Sequence, residues 1–240
     1  MNVDNLPALR DVPSATAAQM AEADRIASDE LGIPLEVLME NASYQIAVAA
    51  RLVLGGVAGK RIVAFAGSGN NGGDALGALR HLSGWGAVVG AVLSGPVERL
   101  RPLARQQHDI LAKLGVLRGA GADDADLLID GLLGYSASGP PRDALADLIR
   151  AANASRLPIL AVDLPSGLHP DTGEPLGVTI RAALTVTLAL PKRGLIETRS
   201  RALVGELLLA DIGIPPQAFD RLAIETRGLF ESGDLLRIIR

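Results

Sequence analysis

The 240-residue sequence contains no cysteine, and this absence removes several classes of functional site. Disulfide frameworks, thiolate metal centres and a catalytic cysteine are all excluded. Only three histidines occur, at positions 81, 108 and 169, and none has the H-E-x-x-H spacing of zinc enzymes. We therefore expect no zinc site built on histidine.

Aromatic residues and an excess of positive charge are also lacking. Phe, Trp and Tyr make up 2% of the chain, and the formal net charge is −4 with a pI near 5.4. Proteins that bind nucleic acids use basic surfaces and, for single strands, aromatic stacking. We therefore expect no nucleic-acid partner, and the core must be built from Leu, Val, Ile and Ala.

Long apolar runs are missing as well, although the mean hydropathy is +0.28. No run approaches the ~20 residues that span a bilayer. The first residues, Met1–Asp4, show neither a basic nor an apolar leader pattern. We therefore expect a cytoplasmic protein with no membrane partner.

What is present is an alternation of helices with short apolar strands. Thr16 begins a capping box ahead of a helix that ends near Leu31, and a second helix runs from about Leu35 to Leu54. Residues 1–13 resemble a polar lead-in. Further strands are predicted over 61–66, 87–93, 126–130, 158–163, 184–190 and 206–210, with helices over 73–83, 99–114 and 142–153.

This alternation predicts an α/β fold. Nearly continuous apolar strands separated by helices are typical of a Rossmann-like, mostly parallel sheet with helices on both faces, in three layers. An N-terminal helical pair precedes the sheet. Residues 225–240 fit either a terminal helix or a frayed tail.

Four of the predicted strands are followed by polar or glycine-rich loops. Ligands of open parallel sheets bind beyond the carboxyl ends of the strands. We therefore predict a ligand pocket where these loops meet. The loops are Gly67–Asp74, Asp130–Ser136, Asp163–Gly167 and Pro191–Gly194.

The first loop matches G-x-G-x-x-G over Gly67–Gly72, but its context disfavours a redox dinucleotide site. Such a site needs an acid at the end of the second strand, and here that strand ends Val92–Gly95 without one. The G-K-[ST] ending of a P-loop is also absent. A tight β–α turn would explain the glycines but not Asn70, Asn71 and Asp74.

Oxygen-bearing side chains in these loops suggest two kinds of chemistry. Asn71, Asp130 and Ser166 could together supply oxygens to a hard cation, although each alone could equally be a turn or cap residue. A nucleophilic serine, Ser136 or Ser166 with His169 as base, has less support. The segment around Ser136 fails the G-x-S-x-G pattern at its last position.

Asp163 follows a strongly apolar strand and begins a stiff turn with Pro165 and Gly167. A carboxylate in that place is partly desolvated and suited to proton transfer. The alternative is a cap that accepts backbone N–H groups. Position alone leaves both interpretations open.

Five segments, in this order, resemble the NAD(P)H-hydrate epimerase family, also called the YjeF N-terminal domain. They are Leu38–Ala42 (L-M-E-N-A), Gly69–Asp74 (G-N-N-G-G-D), Val162–Gly167 (V-D-L-P-S-G), Pro191–Gly194 (P-K-R-G) and Ala210–Pro215 (A-D-I-G-I-P). The second and third together are specific. The resemblance implies a single domain over 1–240 with its core at about 15–216.

The activity implied by the resemblance is that of an isomerase. Such enzymes interconvert the R and S forms of hydrated NADH or NADPH, which carry a hydroxyl on C6 of the nicotinamide ring. We expect no dehydratase domain in 240 residues, so a separate dehydratase would restore the cofactor. A homodimer is also implied. The alternative is a non-catalytic nucleotide- or RNA-binding scaffold of the same fold, whose pocket loops tend to be degraded, whereas here they are intact.

The resemblance also implies roles for individual residues. Asp163 would exchange protons with the C6 hydroxyl and with water, and Lys192 would be its electrostatic or proton partner. Asn71, Asp130 and Ser166 would hold a potassium ion. The implied substrate-binding residues are Asn70, Asn71, Gly72, Gly73, Asp74, Gly134, Tyr135, Ser136, Ala137, Ser138, Gly139, Pro140 and Asp163.

The chain departs from the family pattern at two positions. Ala75 follows Asp74 where the family commonly has glycine. Tyr135 stands where a loop of the G-T-G-L type has the much smaller threonine. Both departures adjoin segments implied to bind substrate, so both bear on the shape of the pocket.

Overall fold

The computed structural model describes residues 3–118, 124–137 and 139–240, and its strands form one eight-stranded sheet. The order across the sheet is β1-β8-β7-β6-β5-β4-β2-β3, and all neighbours are parallel except β7 and β8. The predicted mostly parallel sheet is confirmed. The strands are β1 Ala8–Leu9, β2 Arg61–Ala66, β3 Val88–Leu93, β4 Leu127–Gly131, β5 Ile159–Val162, β6 Leu184–Leu188, β7 Glu206–Ala210 and β8 Leu235–Ile238.

Helices cover both faces of the sheet. Among the described residues, none of them is long and apolar enough to cross a bilayer. Their bounds are α1 Ala17–Arg25, α2 Leu35–Val53, α3 Asn70–Gly84, α4 Pro102–Leu114, α5 Asp143–Ala154, α6 Arg193–Ile196, α7 Arg201–Val204 and α8 Pro216–Asp220.

Alternate residues of β2 face two different cores, as the period of a strand requires. Ile62 and Ala64 pack into the core formed with α1, α2 and α3. Val63 and Phe65 pack into the core formed with α5. The predicted three-layer arrangement is therefore confirmed, and the sheet is buried on both sides.

The N-terminal helices lie over the end of the sheet that carries the polar loops. The predicted capping box is present, since the Gln19 N–H donates to Thr16 Oγ1 (3.1 Å) and Gln19 Oε1 accepts from the Thr16 N–H (2.9 Å). Just before it, Ala15 pairs with Pro191 and Arg193 through two backbone hydrogen bonds of 3.0 Å. This pairing places α1 directly against the segment that follows β6.

Both predicted chain ends were wrong. Residues 1–13 contain β1, and residues 225–240 contain β8, which is neither a helix nor a tail. Leu235 and Leu236 are buried where β8 pairs with β7, and β1 then pairs with β8. Strands of two and four residues carry too little periodicity to be recognised locally, and tertiary pairing stabilises them.

The start of α3 was also misplaced. The helix begins at Asn70 rather than near residue 73, with Gly69 at its N-cap. Glycine lowers intrinsic helix propensity, which made Gly72 and Gly73 look like part of a loop. The structure uses them inside the first turn because close packing there leaves no room for a side chain.

Candidate active site

A cavity of about 340 Å³ lies at the carboxyl ends of β2, β4, β5 and β6. Its floor comes from the loops after these strands, and its roof from α1 and α2. This is where the parallel-sheet rule places ligands. The lining residues are Met20, Asp24, Leu35, Leu38, Met39, Ala42, Ser68, Gly69, Asn70, Asn71, Asp74, Ser94, Arg101, Leu103, Leu132, Leu133, Gly134, Tyr135, Ser136, Ala137, Leu145, Asp163, Leu188, Lys192 and Ile212.

A buried ion pair forms part of the cavity wall. Lys192 Nζ donates to Asp163 Oδ1, and the two residues are only 1% and 3% exposed. The Leu188 N–H also approaches Asp163 Oδ1 at 3.3 Å, and Lys192 Nζ donates to the Leu188 carbonyl at 3.1 Å. Within the described part of the chain no donor reaches Asp163 Oδ2. One carboxylate oxygen is thus anchored, and the other has no protein partner.

The backbone around this pair is held in an unusual conformation. Asp163 and Ala189 immediately follow β5 and β6, and their φ angles are +67° and +62°. The left-handed region is unfavourable for residues with a Cβ, least so for Asp and Asn. Non-glycine residues of this kind concentrate at functional sites, where the surrounding structure holds them in place.

Tyr135 closes one side of the cavity. Its hydroxyl donates to Asp24 Oδ2 on α1, and its ring centroid lies 5.5 Å from Lys192 Nζ. Burial raises the pKa of Tyr135, and the neighbouring Asp24 carboxylate raises it further, so the hydroxyl stays protonated. The ring lines the pocket without filling it. Ala75, the other departure, is fully buried on α3 and is not part of the lining.

Asp74 lies one turn into α3 and faces the same cavity. It is 7% exposed, and among the described residues its carboxyl has neither a hydrogen bond nor an ion pair. Burial raises the pKa of Asp74 well above its ordinary value, and the charges of Asp163 and Asp24 add to the increase. The surroundings of Asp74 therefore favour its neutral form over the ionised one.

A second polar cluster lies behind the loop that follows β4. Asp130 Oδ1 accepts from the Ser166 hydroxyl (2.6 Å) and the Leu132 N–H (3.2 Å), and Oδ2 accepts from the Ser166 N–H (2.8 Å). The Leu133 N–H donates to Ser166 Oγ at 2.9 Å. Asp130 and Ser166 are buried and do not line the cavity. They fasten the loop after β4 to the turn after β5.

Asn71 joins this cluster from the other side. Its Nδ2 donates to the Leu133 carbonyl at 3.0 Å, so Asn71, Asp130 and Ser166 all meet the same short loop. Hard oxygen donors of this kind suit alkali and alkaline-earth cations. No group of three His, Asp or Glu side chains suited to a metal occurs in the described ranges.

Asp130 has no cationic partner in the described part of the chain, and this bears on cation binding. Burial raises the pKa of Asp130 to about 6, although the hydrogen bonds from Ser166 and Leu132 act in the opposite direction. A buried carboxylate without a counter-charge is costly. The residues therefore fit a monovalent cation both in donor type and in the charge that it would neutralise.

The glycines of the first loop pack the protein against itself. A Cβ on Gly67 would lie 1.9 Å from the Leu132 oxygen, and one on Gly72 would lie 2.0 Å from the Gly67 oxygen. Gly73 similarly packs against Met39. The G-x-G-x-x-G match thus reflects tight β–α packing, and Gly72 and Gly73 lie beneath the cavity wall rather than in the lining.

The loop implied to bind substrate after β4 is divided by the structure. Gly134, Tyr135, Ser136 and Ala137 line the cavity. Gly139 and Pro140 line a neighbouring depression of about 380 Å³. Ser138 lies outside the described residues.

The segment Leu38–Ala42 on α2, which resembles the family pattern, has a structural explanation. Leu38, Met39 and Ala42 line the cavity, whereas Asn41 Nδ2 donates to the Ile212 carbonyl at 2.9 Å. This hydrogen bond ties α2 to the segment after β7. The two motifs are 171 residues apart and support each other.

Sequence reasoning missed Asp24. The residue lies one helical turn after the buried Met20, so it extends the apolar face of α1. A carboxylate on the buried face of an amphipathic helix is unexpected and was a usable signal. The serine-hydrolase interpretation gains no support, because the Ser166 hydroxyl bonds Asp130 and His169 Nδ1 accepts the Asp171 N–H at 3.1 Å.

Comparison with known proteins places these features in a family. The family described as YjeF-related protein N-terminus matches residues 35–194. A protein of Dehalogenimonas lykanthroporepellens named NAD(P)H-hydrate epimerase is 38% identical over 93% of this chain and 91% of its own length. One of Limosilactobacillus fermentum with the same name is 37% identical over 82% of this chain and 95% of its own.

A longer relative and a solved structure agree with this assignment. The bifunctional NAD(P)H-hydrate repair enzyme Nnr of Moorella thermoacetica is 43% identical, and the chain spans 40% of its length. The crystal structure of yeast ynu0, YNL200c, superposes with a TM-score of 0.80 at 24% identity, covering 93% of this chain and 99% of that one, so the two share a fold. The chain belongs to the YjeF-related protein N-terminus family.

Proposed function

We propose that this chain is an NAD(P)H-hydrate epimerase. The observation that carries the proposal is the buried Asp163–Lys192 pair in the wall of a cavity at the carboxyl ends of the strands. Two relatives of similar length bear that name at 37–38% identity. The substrate is then the hydrate of NADH or NADPH, and the work is repair of a damaged metabolite.

The chemistry requires a group that can both give and take a proton. C6 of the hydrate bears a hydroxyl next to the ring nitrogen. When the hydroxyl is protonated, the C–O bond breaks, water leaves, and the nitrogen lone pair stabilises the resulting cation. Water that adds to the other face of C6 then loses a proton, and the opposite epimer results.

Asp163 is suited to this exchange by its position. Its Oδ2 has no protein partner in the described ranges, while Oδ1 is held by Lys192. The Lys192 ammonium stabilises the ionised carboxylate after a proton has been given up. Because Lys192 is also held by the Leu188 carbonyl, it keeps the carboxylate in one orientation.

The first turn of α3 would receive the negatively charged part of the substrate. No side chain caps the helix at Gly69, and Gly69, Asn70 and Asn71 line the cavity. Unpaired N–H groups at a helix start attract phosphate. Arg101, exposed at the cavity edge, adds a positive charge.

A potassium ion would be held by Asn71, Asp130 and Ser166. When bound, it would supply the positive charge that the buried Asp130 lacks. Its role would be structural, because these residues fasten the loop after β4 to the turn after β5. Both segments then contribute to the cavity.

The assembly and setting belong to the same proposal. A homodimer is supported by apolar side chains exposed on α2, including Val37 and Tyr44, at 47% and 45%. The bifunctional relatives suggest a separate dehydratase as the next enzyme. A cytoplasmic location fits the substrate.

Activity is tested by incubating the protein with purified R- or S-hydrate of NADH and of NADPH, and following each isomer by chromatography. We expect loss of either pure isomer to a mixture, faster than without protein. Asp147→Asn, at an exposed site outside the cavity lining, serves as control and should match the wild type. No acceleration with any of the four hydrates would refute the activity.

Cation and ligand binding are tested by thermal unfolding. At equal ionic strength, Tm should be higher in potassium than in sodium. At a potassium concentration of 100 times Kd, binding should add about 2.7 kcal/mol to the free energy of unfolding. Asn71→Ala should abolish this difference, and the adjacent Asn70→Ala should keep it. Stabilisation by RNA but not by nucleotides would favour the non-catalytic scaffold.

A further inference from the structure

The carboxyl of Asp74 is a buried group that the mechanism above does not use. It lines the cavity at 7% exposure and has no hydrogen-bond or ion-pair partner among the described residues. Its oxygens are not among the inaccessible unpaired atoms of the described residues, so the carboxyl opens onto the cavity, where water or a ligand can reach it. It is not a helix cap, since Gly69 occupies that position.

The charges around Asp74 explain why it is left alone. Three carboxyls face the cavity, from Asp24, Asp74 and Asp163. Among the described lining residues two carry a positive charge, Lys192 inside the cavity wall and Arg101 at the exposed cavity edge. Lys192 is paired with Asp163, and Asp24 accepts from Tyr135. Among the described residues, Asp74 alone of the three carboxyls has no hydrogen-bond or ion-pair partner. Its protonated form is therefore the favoured one.

The electrostatic environment of Asp74 also favours its protonated form. Burial raises the pKa of Asp74 first, and the charges of Asp163 and Asp24 raise it further, while Lys192 acts in the opposite direction. Asp163 differs because it is bound directly to the ammonium. Carboxyls in one site whose surroundings favour opposite protonation states are typical of acid–base pairs.

Epimerisation itself calls for two such groups. The hydroxyl leaves one face of C6, and water adds to the other. A single carboxyl would have to protonate the leaving oxygen on one face and deprotonate water on the opposite one. Glycosidases that invert a carbon centre solve the same problem with two carboxyls.

We propose that Asp74 is the second catalytic carboxyl, acting as the acid while Asp163 acts as the base; this rests on the proposed epimerase activity. Asp74 gives its proton to the C6 hydroxyl, which leaves as water. Water on the Asp163 side adds to C6 and passes a proton to the Asp163 carboxylate. Asp163 is then protonated and Asp74 ionised, and the opposite epimer reacts from this state with the roles exchanged. For another turnover in the same direction, cavity water carries the proton from Asp163 back to Asp74.

The decisive variant is Asp74→Asn, which keeps the size and neutrality of the group but cannot donate an acidic proton. We expect kcat to fall by about 10²–10⁴-fold with little change in KM, as for loss of a general acid. In the wild type kcat should decline at alkaline pH as Asp74 ionises, and the variant should lack that decline. Asp74→Glu should recover part of the rate.

An infrared measurement reads the same group without any substrate. The wild type should show the carbonyl stretch of a protonated carboxylic acid at neutral pH, and Asp74→Asn should lose it. Burial also raises the pKa values of Asp24 and Asp130, so the reading is the difference between the two proteins. Absence of the band from the wild type, or an equal band in the variant, would overturn the inference. This holds even if the wild type proves inactive and the proposed function itself fails.

The kinetics also separate catalysis from simple binding. If Asp74→Asn keeps kcat within about twofold, or changes only KM and retains the alkaline decline, Asp74 is a substrate-binding residue and the inference is wrong. Asp147→Asn removes an exposed carboxylate elsewhere and should leave kcat and its pH profile unchanged. Matching unfolding curves for both variants exclude misfolding as the cause.

Discussion

Buried carboxyls lie on both sides of the loop after β4, and the two sides differ in how many hydrogen bonds the protein makes to these carboxyls. Behind the loop, both oxygens of Asp130 accept hydrogen bonds. In front of it, Asp163 has one free oxygen and Asp74 has no partner in the described part of the chain. A satisfied buried network holds backbone in place, whereas unsatisfied groups remain available to a ligand. The loop therefore separates a structural cluster from a reactive one.

Backbone conformation follows the same division. Asp130 lies within the regular strand β4. Asp163 and Ala189, which border the cavity, both have positive φ. Of these three residues, the two on the cavity side have the left-handed backbone, and the turn at Asp163 brings its carboxylate to Lys192.

Asp163→Asn, on the reactive side of the loop, is the variant with the largest expected effect. Asparagine tolerates the left-handed conformation, so backbone strain is not added. We expect epimerisation to fall by about 10²–10⁴-fold, and stability by about 3–5 kcal/mol because Lys192 is left buried and unpaired. Chromatographic assay and urea unfolding measure the two losses.

The matched control for this variant is Asp163→Asn with Lys192→Met. Removing both charges should restore most of the stability while leaving the activity lost. If Asp163→Asn alone is folded and keeps the full rate of epimerisation, Asp163 is only a turn residue.

The glycines of the first loop differ in the same way, since Gly72 is packed against the backbone and Gly69 borders the open cavity. Gly72→Ala places a Cβ against the Gly67 carbonyl, and we expect a loss of about 1–3 kcal/mol in urea unfolding, as for overpacking. Gly69 borders the cavity with no atom within 4 Å of the added Cβ. Gly69→Ala should therefore cost less than about 1 kcal/mol. Equal losses at both positions would contradict the packing explanation.

The third test uses the dependence of stability on pH. The pKa of Asp74 is raised in the folded state. The stabilisation from its protonated carboxyl is therefore fully present below the pKa of the unfolded chain, about 3.9. It is lost as pH rises through the folded value, at up to about 1.4 kcal/mol per pH unit. Asp74→Asn should remove this slope and be more stable than the wild type at neutral pH. Urea unfolding at several pH values measures it, and parallel curves for the two proteins would contradict the neutral carboxyl.

The smallest effect is expected for Tyr135→Phe. It removes the hydrogen bond to Asp24 but keeps the ring beside Lys192, so we expect about 1 kcal/mol of lost stability. Tyr135→Thr also removes the ring and should lose a further ~0.5–2 kcal/mol. Identical unfolding free energies for the two variants would show that the ring contact contributes nothing.

Particular elements show how far local reasoning extends. The capping box at Thr16 and the strand over 61–66 were predicted because their signals lie within a few residues. The strand β8 was missed because its four residues have no local pattern and depend on pairing with β7. Asn71, Asp130 and Ser166 meet at one loop, since the ends of parallel strands meet at one edge of the sheet, and their role in holding a cation stays a prediction.

By itself, the sequence determined the central strands and helices, though not β1 or β8, and the edge of the sheet that carries polar loops, because periodicity and glycine content act locally. The family resemblance implied Lys192 as the partner of Asp163, 29 residues away, and the structure shows the direct contact. Only the tertiary structure decided the pairing of Tyr135 with Asp24, across 111 residues of chain. It also left Asp74 without a partner among residues 3–118, 124–137 and 139–240. Burial and charge balance depend on every neighbour in three dimensions, and no local stretch of residues contains that information.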